Sequence, residues 1–121
     1  MNTYDQPTLI TYQLNAATLS AAAELATFVG PAGKTGRVVS ISALVTTGVT
    51  VAPSVVTVED LANTIVAGSL SVPVGAADSF ANAAVQSTDD TLLPADTAFT
   101  IDVDGGATAG AANLVVAIAW F

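Results

Sequence analysis

Short segments of β-branched and aromatic residues, separated by turn-forming residues about every ten positions, constrain the fold of this chain more than any other feature. The clearest example is Ala98–Asp104, in which Phe99, Ile101 and Val103 alternate with polar residues. Because successive side chains of a strand point to opposite faces, this pattern predicts a strand with one buried and one exposed face. A set of about eight such strands predicts an all-β fold, an antiparallel β-sandwich, with a jelly roll as its expected form.

The other strand candidates meet the same criterion along the chain. They are Thr8–Leu14, Arg37–Thr46, Ser54–Glu59, Thr64–Val72, Phe80–Gln86 and Asn113–Phe121. In the longest of them, the residues expected to point inward are Val39, Ile41, Ala43 and Val45. The alanine-rich stretch Ser20–Leu25 is compatible with a helical turn or two, or with an irregular loop. Met1–Pro7 is expected to form an extended arm, and residues 8–121 a single β-sandwich domain.

The side chains available for chemistry are few. The chain has no histidine, no cysteine and only two cationic residues, Lys34 and Arg37, in 121 residues. Histidine is the side chain that titrates near neutral pH unperturbed, and Arg or Lys usually hold phosphate and carboxylate substrates. We therefore expect no enzymatic activity and no cofactor.

The charge also limits the class of partner. A net charge of −8 argues against direct binding to nucleic acid, which needs clustered cations. No apolar run approaches the roughly 20 residues of a membrane helix, so no membrane partner is expected. Charged residues make up 10% of the chain, against about 25% in typical domains. Small, weakly polar side chains must then cover much of the surface, which favours repeated contact with other proteins.

Gly33-Lys34-Thr35 resembles the end of a phosphate-binding loop. That motif needs its first glycine at position 28, where this chain has Phe28, and it must open a helix. Here the segment precedes a β-branched strand, so it is interpreted as a turn.

Asp102-Val103-Asp104-Gly105-Gly106 resembles the front of a calcium-binding loop. The third ligand position is Gly106, and no glutamate follows at the far end of the loop. No metal site is therefore expected. Asp102 and Asp104 remain weak candidates for one loosely held cation, with help from Asp89 or Asp90.

The C-terminal segment Asn113–Phe121 is apolar on both of its faces. One face contains Leu114, Val116, Ile118 and Trp120, and the other contains Val115, Ala117, Ala119 and Phe121. A sandwich strand normally exposes one face to water, and a terminal Trp-Phe pair would fray unless something contacts it. Two explanations stay open. The second face is covered by N-terminal residues of the same chain, or the segment forms a subunit interface to which Val115, Ala117, Trp120 and Phe121 are expected to contribute.

The order of these pieces resembles the small jelly-roll decoration (cement) proteins of tailed-phage capsids. The resemblance spans residues 8 to 121 and lies in the order and style of the segments. They are a polar arm, a Gly-rich turn into Gly36–Ile41, a turn and strand over Leu93–Ile101, and an Ala-Gly-rich turn into Leu114–Phe121.

The resemblance implies a homotrimer on local or quasi three-fold axes of an icosahedral head, with the major capsid protein as partner. It also implies that the N-terminal arm, including Tyr4, contacts the shell or a neighbouring subunit. The protein would be made in the host cytoplasm and reside on the outer capsid surface of the virion. The alternatives are a carbohydrate-binding or adhesin-like β-sandwich module, or another virion part such as a head fibre or a tail or baseplate subunit.

Overall fold

A computed structural model describes residues 8–60, 69–83 and 92–121, and these residues form eight β-strands. The strands are β1 (Thr8–Thr18), β2 (Ala23–Val29), β3 (Gly36–Thr50), β4 (Ser54–Asp60), β5 (Leu70–Val72), β6 (Phe80–Ala83), β7 (Ala98–Val103) and β8 (Ala109–Trp120).

The strands form two antiparallel four-stranded sheets packed face to face. The first sheet has the order β1-β8-β3-β6 and the second the order β2-β7-β4-β5. Strand β4 pairs with β5, β3 with β6, β2 with β7, and β1 with β8. These nested pairs are those of one long antiparallel hairpin. The additional pairs β3–β8 and β4–β7 join its strands into the two sheets. The predicted β-sandwich is confirmed, and its strand order is that of a jelly roll.

The core lies between the sheets and is centred on aromatic rings. The rings of Tyr12 and Phe28 are 5.0 Å apart between centroids, and those of Tyr12 and Phe99 are 5.1 Å apart. Trp120 joins the cluster through Phe99, at 5.9 Å. These distances are typical of stabilising aromatic pairs. The largest fully buried side chains are Trp120, Phe99, Leu19, Ile41, Leu93 and Ile101.

The buried Ser54 hydroxyl links the β1–β2 and β7–β8 connections to the start of β4 through hydrogen bonds. Ser54, at the start of β4, has no exposed surface. Its Oγ donates a hydrogen bond to the carbonyl oxygen of Leu19 and accepts one from the backbone N–H of Ala107. Because a buried hydroxyl without partners would cost about 1–3 kcal/mol, both bonds are needed at this position.

The C-terminal residues are held within the subunit. Strand β8 lies between β1 and β3, and the Trp120 side chain is 1% exposed. Its Nε1 donates a 3.0 Å hydrogen bond to the Tyr12 hydroxyl. The backbone of Phe121 exchanges two hydrogen bonds with Thr35, at 2.9 and 3.0 Å. The terminus is therefore docked without any partner chain.

Two expectations from the sequence need correction. The stretch Ser20–Leu25 forms no helical turn, and only its first half, Ser20–Ala22, is the irregular loop of the other alternative, because β2 begins at Ala23 and pairs with β7. A register shift between Glu24 and Ala26 breaks the alternation that would have marked the strand. In β3, Val38 is buried and Val39 is not, because a shift between Val38 and Ser40 reverses the faces before Ile41.

Other predicted strands agree where the structure describes them. Phe99, Ile101 and Val103 are buried as expected, as are Ile41, Ala43 and Val45. The third β-branched segment contributes β5, Leu70–Val72, and its residues 64–68 lie outside the described part of the chain. Of the segment at residues 80–86, Phe80–Ala83 is strand. The expected arm, residues 1–7, also lies outside the described residues.

Candidate functional site

The outer face of the first sheet is the largest surface built from residues that sequence reasoning had flagged. Antiparallel register places its outward side chains in cross-strand rows. From one end to the other the rows are Leu9, Ala119 and Arg37; Thr11, Ala117 and Ser40; Gln13, Val115 and Ser42; and Asn113, Leu44 and Phe80. Phe121 follows the end of β8 and lies beyond the first row, where its backbone is hydrogen-bonded to Thr35. We call these residues the apolar face.

Large apolar side chains stand at the corners of the apolar face. Leu9 is 61% exposed and Phe121 41% at one end, while Leu44 is 41% and Phe80 67% exposed at the other. The centre consists of small residues such as Ala117, which is 9% exposed. The larger apolar side chains of this face thus lie at its two ends and the smaller ones between them. Four large apolar side chains exposed on one sheet face make that face a candidate interaction site.

Charge is almost absent from the strands of the first sheet. Arg37 is the one charged residue among β1, β3, β6 and β8. Its guanidinium carbon lies 5.8 Å from the centroid of the Phe121 ring, at the end of the face. This geometry fits a cation–π contact, which is typical of arginine above an aromatic ring. The cation therefore sits at the edge of the apolar face and leaves its centre uncharged.

The outer face of the second sheet has the opposite character. The register aligns Glu24, Asp102 and Thr57 in one row and Thr27, Thr100 and Glu59 in the next. We call these two rows the acidic face. Its strands carry four carboxylates, on Glu24, Glu59, Asp60 and Asp102, and no cation. The two outer faces of the sandwich thus differ sharply in charge.

A groove of about 550 Å³ lies on the acidic face and contains the candidate cation ligands. The carboxylate of Asp102 accepts a hydrogen bond from the Thr100 hydroxyl. The Oδ1 atom of Asp104 accepts hydrogen bonds from the backbone N–H groups of Val55, at 2.9 Å, and Gly106, at 3.0 Å. Asp104 therefore stabilises the turn after β7.

Metal ligands are not assembled in this groove. Within residues 8–60, 69–83 and 92–121, no group of three or more Asp or Glu side chains is placed to hold a metal ion. The other candidate ligands, Asp89 and Asp90, lie outside those ranges. The Gly33-Lys34-Thr35 segment is a turn, as interpreted, with a hydrogen bond from the Lys34 N–H to the Pro31 carbonyl oxygen.

The predicted interface residues divide into two groups. Val115, Ala117 and Phe121 lie on the apolar face. Trp120 does not, because the alternation of β8 turns it inward, where it is 1% exposed. Its assignment to an interface is therefore wrong, since a buried core residue offers no surface to a partner. Tyr4 lies outside the described residues.

Sequence reasoning missed Leu9, Leu44 and Phe80 as members of this face. A signal was present in two of them. Leu9 precedes the inward Ile10, and Leu44 lies between the inward Ala43 and Val45. A large apolar residue at an outward position of an alternating strand therefore indicates apolar surface that the sheet exposes.

Burial raises the pKa of the Tyr12 phenol above its ordinary value, and the hydrogen bond from Trp120 opposes this in part. The neutral phenol accepts a hydrogen bond from the indole N–H of Trp120. Trp120 is a core residue and Tyr12 packs against the core. Neither offers the exposed platform on which a sugar ring could stack.

Comparison with models of known protein families, with curated proteins and with solved structures found no match to this chain. The described part of the chain contains no helix long and apolar enough to cross a membrane.

Proposed function

We propose that this protein is a structural component of a virion that decorates and stabilises an icosahedral capsid. In this proposal it binds the major capsid protein on the outer surface of the shell as a homo-oligomer, a trimer. The resemblance of the sequence to phage decoration proteins motivates the proposal, and the jelly-roll fold is compatible with it. A fold by itself does not define a function, so the proposal depends on the surface.

The apolar face is the observation that carries the proposal. An oligomer that cements a shell needs contact area between its copies rather than catalytic groups, and this face offers the copies area that is cheap to remove from water. Burying one exposed Phe or Leu side chain contributes about 1.5–3 kcal/mol, and no carboxylate in the strands of the first sheet opposes that burial.

The dimensions of the face indicate how it would be used. Four strands about 4.8 Å apart and four rows that span six residue steps of about 3.3 Å give an area of roughly 380 Å². A stable interface buries about 800 Å² on each partner. The apolar face thus supplies about half of one standard interface, and the rest must come from other parts of the subunit. Repetition over a lattice multiplies such contacts into avidity.

The chemical composition supports a role without catalysis. The chain has no histidine and no cysteine. Among the described carboxylates, Asp104 is engaged by two backbone N–H groups and Asp102 by a hydroxyl. These interactions are those of structural residues.

Binding to purified empty capsids tests the proposal. The protein should co-sediment with the capsids and raise their resistance to heat or to mechanical force. Phe80→Asp, on the apolar face, should lower the association constant between copies at least 100-fold. It should not change the unfolding midpoint of the dilute subunit. Val29→Asp is the matched control, because Val29 is 63% exposed at the end of β2 in the second sheet. A wild-type protein that stays monomeric in light scattering and does not bind empty capsids would contradict the proposal.

A further inference from the structure

The sandwich separates its charges between two sides. Carboxylates occupy the acidic face of the second sheet, and the strands of the first sheet contain none. Because two packed sheets are about 10 Å apart, each subunit has a side whose strands carry the single charge of Arg37 and a negative side at a fixed separation. This asymmetry determines how copies of the chain can meet.

We infer that copies of this protein associate with their apolar faces turned toward one another and their acidic faces turned outward. The inference rests on the proposed oligomer and specifies which surface each copy presents. It holds for a two-fold pair and for a ring of three, because in both the same face of every copy can point inward.

The competing arrangement packs the apolar face of one copy on the acidic face of the next. It would remove Glu24, Glu59 and Asp102 from water against a surface whose strands hold the single cation Arg37. Burying a carboxylate without a matched partner costs several kcal/mol. A face of roughly 380 Å² gains about 10 kcal/mol at most from apolar burial, so a few such penalties would cancel it.

The inferred arrangement keeps like charges apart. In a two-fold pair, facing first sheets place the two second sheets outermost, so the acidic faces are separated by about three sheet spacings, roughly 30 Å. The Debye length at physiological ionic strength is about 8 Å, so repulsion between these faces is largely screened. Arg37 lies at the end of the apolar face beside Phe121, where its guanidinium can stay in contact with water.

The shape of the apolar face also suits contact with a second copy. Its central rows hold Ala117, Ser40 and Ser42, which allow two backbones to approach closely. Leu9 and Phe80 lie on opposite edge strands, β1 and β6, so they can fill the space around this small-residue centre.

Spin labels on single cysteines test the orientation, because the chain contains no native cysteine. Thr11→Cys and Thr27→Cys form a matched pair: both replace an exposed threonine on an edge strand, on the apolar and acidic faces respectively. Double electron–electron resonance on the oligomer should give distances below about 25 Å for Thr11→Cys and above about 30 Å for Thr27→Cys.

Each outcome bears on the inference. Short distances for Thr27→Cys, equal distances for the two variants, or a monomeric protein would overturn it. A label at Thr11 that dissociates the oligomer, while the label at Thr27 leaves it intact, supports it. Capsid binding separates the two proposals. If the oligomer gives short Thr11 distances but does not bind capsids, only the decoration function is contradicted. If it binds capsids but gives short Thr27 distances, only the orientation is contradicted.

Discussion

Gly30→Ala should destabilise the subunit by pushing Trp120 out of its place in the core. A Cβ atom at residue 30 would lie 2.3 Å from Cη2 and 2.4 Å from Cζ2 of the indole ring. Carbon atoms in contact are normally about 3.5–4.0 Å apart, so the ring must move by more than about 1 Å. The opposite side offers little space, because a Cβ on Gly36 would lie 2.6 Å from Cζ3 of the same ring.

The cost of this substitution follows from two effects. Overpacking of a core by one methyl group typically costs about 1–3 kcal/mol. A displaced indole also loses its 3.0 Å hydrogen bond to Tyr12, which contributes about 0.5–1.5 kcal/mol. Together they lower the free energy of unfolding by about 2–4 kcal/mol, which corresponds to a Tm about 8–16 °C lower for a domain of this size.

A double-mutant cycle measured by urea unfolding isolates the steric cause. Trp120→Phe removes the outer ring atoms that the new methyl group would strike, so Gly30→Ala should cost at least 1 kcal/mol less in that background. Gly33→Ala is the matched control, since a Cβ on Gly33 would have no atom within 4 Å. Its φ of +72° predicts a cost of about 1 kcal/mol that does not depend on residue 120. A Gly30→Ala cost below about 0.5 kcal/mol, or no coupling to Trp120, would refute the reasoning.

Three further predictions concern strain, metal and pH. Val51→Gly should raise the free energy of unfolding by about 1 kcal/mol in urea, because a β-branched residue at φ 75° is strained and its side chain is 79% exposed; an unchanged midpoint would contradict this. EDTA should leave the Tm unchanged, whereas Asp104→Ala should lower stability by about 1–2 kcal/mol through two lost backbone contacts; a large drop with EDTA would restore the calcium hypothesis. Because the folded pKa of Tyr12 is raised, stability should be constant below its ordinary pKa near 10 and fall as pH rises through the folded value; Tyr12→Phe should remove that slope in alkaline urea titrations.

Much of the fold could be predicted wherever a strand has regular alternation. Strand β7 shows this, since Phe99, Ile101 and Val103 are buried in the phase that the sequence indicates. Prediction failed at irregularities. The register shift after Glu24 hid β2, and the shift after Val38 reversed the inward phase that had been assigned to Val39. A β-bulge depends on pairing with a distant strand, so a local window of sequence does not reveal it.

The candidate site was only partly predictable for a related reason. The apolar second face of β8 was visible in Val115, Ala117 and Phe121 because those residues follow one another with a period of two. Leu9 and Phe80 belong to other strands, and nothing local connects them to β8. Trp120 was misassigned, because a terminal position was expected to leave it exposed.

The sequence by itself determined the properties that depend on neighbouring residues. These are the β-strands with regular alternation, the inward phase of β7, and a composition without histidine, cysteine or more than two cations. Only the tertiary structure decided that the sandwich is a jelly roll and that Trp120 packs inside while Phe121 lies at the surface. It also brought Leu9, Leu44 and Phe80 onto the apolar face, opposite the acidic one. The physical reason is that strand pairing joins residues far apart in the chain, and the order and register of those pairs decide which side chains share a surface.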